Sequence, residues 1–80
     1  MKTIQFVLNE YLVKSPLGTI MEAANALCKA ADVSNATLER MRNGHHVKEK
    51  TAYHVLVKVG LNSDDAMKLA LKQKRESKNG

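Results

Sequence analysis

The sequence predicts an all-α domain of five short helices, and three observations predict it. Aromatic residues are only 4% of 80 positions (Phe6, Tyr11 and Tyr53, with no Trp), whereas sheets favour aromatic residues, and the abundant Leu, Ala and Met are strong helix formers. One proline and four glycines are few for the many turns of a sheet fold. Apolar residues recur at helical spacing from Ile4 to Leu71. Residues 1–75 are read as one domain and 76–80 as a frayed basic tail.

Ile4, Val7, Leu8, Tyr11 and Leu12 share one helical face, and Ser15-Pro16 ends that helix because the residue before proline avoids the helical region. Thr19-Ile20-Met21-Glu22 is a capping-box pattern that opens a second helix. Its inner face is Ile20, Ala23, Ala24, Leu27, Cys28 and Ala31, small enough to let another helix approach closely. Asp32-Val33 breaks the run. Ser34 caps a third helix from Asn35 to Asn43, anchored by Val33, Leu38 and Met41 and stopped by Asn43-Gly44. A polar loop, His45 to Lys48, leads to a fourth helix with Ala52, Val55, Leu56 and Val59 inside and Gly60 at its end. Val55 to Val59 is β-branched enough to mimic a strand, but His54 and Lys58 fall at helical spacing. Asn62-Ser63-Asp64-Asp65 caps a fifth helix, with acids in its positive first turn. Ala66, Leu69 and Ala70 form its inner stripe, and Met67 and Leu71 form a second stripe.

Thirteen Lys and Arg against eight Asp and Glu give a net charge of +5, which suits a polyanionic partner. The single cysteine, Cys28, excludes an intramolecular disulfide and fits a reducing compartment. Lys2 followed by Ile4-Gln5-Phe6-Val7-Leu8 has the outline of a signal peptide, but Gln5, Asn9 and Glu10 interrupt it and no cleavage site follows, so export is not expected. No apolar run reaches the ~18 residues of a membrane span. The expected location is the cytoplasm.

The informative segment is Ala23 to Gly44. A helix with small inner residues meets a tight turn, and a second short helix turns Asn35, Glu39, Arg40, Arg42 and Asn43 outward. These are the physical requirements of a helix-turn-helix, whose second helix docks by two or three apolar residues and leaves a polar face for a groove. Over Ala23 to about Ala66 the chain resembles the Cro and lambda-repressor-like family of small DNA-binding regulators. The resemblance is carried by Leu27-Cys28-Lys29-Ala30-Ala31-Asp32-Val33-Ser34, by Thr37-Leu38-Glu39-Arg40-Met41-Arg42-Asn43-Gly44, by the helix of Thr51 to Gly60, and by Leu61-Asn62-Ser63-Asp64-Asp65-Ala66. The small residue at Cys28, the aliphatics at Val33, Leu38 and Met41, and Gly44 all match. Asp32 replaces the family's turn glycine, a position where Asp tolerates left-handed geometry. Ala24 replaces a phosphate-contacting glutamine, so that role is not carried over; Asn25 and Thr19 are the substitutes left open.

The resemblance implies a compact five-helix fold that binds duplex DNA. It implies base contacts by Asn35, Ala36, Glu39 and Arg40: Asn35 pairs with adenine, Arg40 with guanine, Glu39 accepts from cytosine N4, and Ala36 touches a thymine methyl. Phosphate contacts fall to Ser34, Thr37, Arg42, Asn43, His45, His46, Lys48 and Lys50. Tyr53, Val57, Met67 and Leu71 lie off the main inner faces and either complete the core or form a dimer interface; a domain this small gains specificity as a two-fold dimer on a palindromic operator. No cofactor, small-molecule effector or metal is expected. Two adjacent histidines and one distant cysteine are not a zinc site, and Cys28 is read as a buried structural thiol. Gly44, Gly60 and Gly80 form no phosphate loop, and no acid, base and nucleophile cluster, so an enzyme is not expected.

The leading reading is a sequence-specific transcriptional regulator, a phage or prophage repressor of Cro type that blocks polymerase sterically as a dimer. The second is a protein-interaction module on the same fold (an antitoxin, an anti-defence protein or an adaptor). The third is an architectural or excision factor that bends DNA.

Overall fold

α1 (Ile4–Lys14) opens at Thr3, whose hydroxyl accepts the Phe6 N–H at 3.0 Å, and α2 (Ile20–Ala31) opens at Thr19, whose hydroxyl accepts the Glu22 N–H at 3.1 Å. α3 (Asn35–Arg42), α4 (Glu49–Lys58) and α5 (Ser63–Lys78) follow. The computed structural model describes residues 3–16 and 18–78, with side chains up to residue 73. Among the described residues there is no strand, so the domain is all-helical, as the sequence predicts. Its Cα radius of gyration of 11.7 Å is that of a chain this long packed into one body, roughly 12 Å.

The helix starts follow from local chemistry. Ser34 accepts the Thr37 N–H at 3.1 Å and Asn62 accepts the Asp65 N–H at 2.9 Å. Each such cap satisfies an otherwise orphaned donor and stabilises by about 1 kcal/mol. At α2 the Glu22 carboxylate accepts from the Thr19 hydroxyl at 3.1 Å. α4 starts after Lys48 with no side-chain cap, and Glu49 supplies a favourable charge in its first turn.

The ends of α2, α3 and α4 share one device. Asp32 (φ 57°), Gly44 (φ 83°) and Gly60 (φ 105°) are left-handed. The next N–H then reaches back five residues: Val33 to Cys28 at 3.0 Å, His45 to Arg40 at 2.8 Å, and Leu61 to Leu56 at 3.2 Å. This is the Schellman closure, which satisfies carbonyls that the helix leaves without partners. Asp32 alone, among the described non-glycine residues, has a positive φ. It carries the left-handed steric penalty, and its carboxylate sits at the negative end of α2. Asp32→Gly is therefore expected to stabilise by about 0.5–1 kcal/mol, after the extra freedom of an unfolded glycine is subtracted. Thermal unfolding should show a midpoint higher by a few degrees; a lower midpoint would mean that Asp32 makes a compensating contact.

The core takes Ile4, Val7, Leu8 and Leu12 from α1, Ala23, Leu27, Cys28 and Ala31 from α2, and Leu38 and Met41 from α3. It is completed by Ala52, Val55 and Leu56 of α4 and by Ala66, Leu69 and Ala70 of α5. α4 packs chiefly on α5, α1 on α3, and α2 on α4 and α3. The small residues Ala23, Cys28 and Ala31 of α2 are buried against these neighbours.

Three details differ from expectation. Ile20 is 43% exposed: it is the first residue of α2, and helical side chains lean toward the N-terminus, past the end of the core. Tyr11 is 36% exposed at the edge of the α1 face, where a tyrosine keeps its hydroxyl in water. Val47 is buried in a loop expected to be polar. α5 runs to Lys78, in keeping with a run of good helix formers from Lys72 to Glu76; residues 79–80 lie outside the described residues. Among the described residues no helix is long and apolar enough to cross a membrane.

Candidate nucleic-acid interface

Three residues, Asp32, Val33 and Ser34, join α2 to α3. The Cys28 thiol donates to the Ser34 carbonyl at 3.7 Å, tying the last turns of α2 to the start of α3. Burial pushes the Cys28 thiol up from its ordinary value, which leaves it protonated and unreactive. Ser34 also holds α3 with its hydroxyl, which donates to Thr37 Oγ1 at 2.9 Å.

α3 has only eight residues and divides cleanly. Leu38 and Met41 are each 1% exposed, whereas Asn35, Ala36, Glu39 and Arg40 face solvent. At 3.6 residues per turn those four fall within an arc of roughly 140°, opposite Leu38 and Met41, and Asn43 lies in the same arc. The arc offers an amide, a methyl, a carboxylate and a guanidinium on one short rigid element.

The exposed groups have local partners. Arg40 Nη2 donates to the His46 carbonyl at 3.1 Å, an exposed bond whose release costs about 1 kcal/mol. Glu39 Oε2 lies 3.6 Å from Arg42 Nη1. Arg42 Nε donates to Asn9 Oδ1 at 3.1 Å. Arg42, which the sequence offered for phosphate contact, is thus half-buried and ties α3 to α1. The Ser34 and Thr37 hydroxyls likewise bond to each other.

Beyond α3, Asn43, His45, His46, Lys48 and Lys50 are all exposed. The loop that carries most of them is pinned at its middle. Val47 buries its side chain, its N–H donates to Gln73 Oε1 at 3.3 Å, and its carbonyl accepts from Gln73 Nε2 at 2.8 Å. Of the exposed candidate phosphate ligands, Ser34 precedes α3 and Asn43, His45, His46, Lys48 and Lys50 follow it. Among the described residues no three or more His, Cys, Asp or Glu side chains gather to hold a metal ion.

The four residues left open between core and dimer interface separate. Tyr53 packs against the core, with its ring edge-on to His54 at 5.9 Å between centroids. Val57, Met67 and Leu71 are 38%, 40% and 41% exposed. An open apolar groove of about 560 Å³ takes Val7, Tyr11, Pro16, Val59, Leu61 and Leu69 into its lining and nothing from α3.

Sequence reasoning missed several of these features. Phe6 and Val13, exposed on α1, are seven residues apart and off the inner face, so spacing alone could have found them. Exposed Met21 was passed over in the same way. The Asn9–Arg42 and Val47–Gln73 pairs join residues 33 and 26 apart, and no local pattern announces them. In comparisons with known proteins, no family model, curated protein or solved structure matches the chain.

Proposed function

We propose that this protein is a sequence-specific DNA-binding regulator of transcription, in which α2 and α3 act as a helix-turn-helix and α3 enters the major groove. One observation carries the reading: Asn35, Ala36, Glu39 and Arg40 occupy an uncovered arc of a helix that is held from behind by Leu38 and Met41. Arg40 reads guanine through O6 and N7, and Asn35 reads adenine through N6 and N7. Glu39 accepts from cytosine or orients Arg42. Asn43, His45, His46, Lys48 and Lys50 fix the register on phosphates. The net charge of +5 draws the duplex in.

A homodimer on a palindromic operator supplies the specificity that one small domain lacks, and exposed Val57, Met67 and Leu71 are its candidate contact. The reading is a Cro-type repressor of phage or prophage origin that works in the cytoplasm by occluding polymerase, without cofactor or small-molecule effector. The same exposed apolar trio also favours one competitor, a protein-interaction module of the antitoxin, anti-defence or adaptor kind.

Two substitutions test the readout. Arg40→Ala should cost about 1–3 kcal/mol and relax one base position, while Lys48→Ala should weaken binding to all sequences alike. Equal losses on operator and random duplexes for both variants would remove the base-reading role of α3.

A further inference from the structure

We infer that Gln73 of α5 is a positioning residue for DNA backbone contact, and that its amide sets the α3–α4 loop so that His45, His46 and Lys48 meet phosphates. The inference rests on the DNA-binding reading above. The Gln73 side chain makes both bonds of a backbone-like pair with Val47, 3.3 Å to the N–H and 2.8 Å to the carbonyl. A carboxamide presents a donor and an acceptor at one fixed spacing, so the pair fixes the orientation of the Val47 backbone as well as its place.

That orientation matters because Val47 is buried between two exposed neighbours, His46 and Lys48. Rotating the Val47 backbone would swing both candidate phosphate ligands off their present side. The effect also reaches α3, since the His46 carbonyl next in the chain accepts from Arg40 Nη2. Gly44 leaves α3 at φ 83°, and a Cβ there would meet Gln5 Oε1 at 3.2 Å, so α1 crowds the start of the same loop. The loop has no regular structure of its own. Its shape is imposed by a residue 26 positions away, on the helix that also displays Met67 and Leu71.

The experiment compares the full chain with Gln73→Leu and Gln73→Ala, both good helix formers. Amide hydrogen exchange without DNA reads the clamp: the Val47 amide should exchange at least tenfold faster, while the Leu56 amide of the core keeps its protection. Titration with a random-sequence duplex at several salt concentrations reads the consequence. Affinity should fall roughly tenfold, and the log–log salt slope should shrink by about one to two per protomer, about 0.9 for each phosphate lost. A merely structural loss would lower the folded fraction and leave that slope unchanged. Faster Val47 exchange with wild-type affinity and slope would overturn the positioning role, and so would an unchanged Val47 amide. If the wild-type chain itself binds no duplex at low salt, the DNA-binding reading fails first, before any substitution is made.

Discussion

Leu38→Ala should destabilise the fold by about 2–5 kcal/mol, the range for removing a buried leucine and leaving a cavity. Leu38 is 1% exposed and is one of only two fully buried side chains that α3 contributes. A domain of 80 residues has a total stability of roughly 4–12 kcal/mol, so this single change removes a large share of it. Urea unfolding followed by helical circular dichroism should give a lower midpoint with a similar slope. Saturating DNA should restore part of the loss, because a ligand that binds only the folded state stabilises it by mass action. A loss under about 0.5 kcal/mol, the size of a surface change, would mean that α3 is not clamped by its apolar side.

Binding to duplex DNA should collapse as salt rises. If a dimer neutralises about eight phosphates, the log–log slope of affinity against salt is near −7. Raising salt from 50 to 200 mM then weakens binding about 10⁴-fold. The structural ground is the set of exposed cationic or polar side chains at both ends of α3, with His45, His46, Lys48 and Lys50 on one side. A slope near zero, or no binding at low salt, would leave the interaction-module reading in possession.

What the sequence made legible was local. Thr19, Ser34 and Asn62 were readable as helix starts because a cap and the N–H it satisfies lie within three residues. Asp32 was readable as a left-handed turn residue because so few side chains tolerate that geometry. Leu38 and Met41 were readable as anchors from helical spacing alone. What stayed hidden was either long-range or decided by an edge. Val47 looked polar by the company it keeps, and its burial belongs to long-range packing that also joins its backbone to Gln73 of α5. Arg42 reads as a phosphate ligand from its place on α3, and no local pattern announces its bond to Asn9 of α1 at 3.1 Å. Ile20 and Tyr11 obey the helical period but sit where the core ends, which periodicity does not encode. The candidate arc of α3 was legible residue by residue; the contacts that aim it were not.

The central claim is that the exposed arc of α3 reads base edges, and selection of bound duplexes from a random pool tests it most directly. The account predicts a palindromic consensus whose half-sites are centred about 10 bp apart, with Arg40→Ala erasing preference at one position in each half. A pool that binds without enriching any sequence, or an enriched consensus that Asn35→Ala and Arg40→Ala leave untouched, would contradict it.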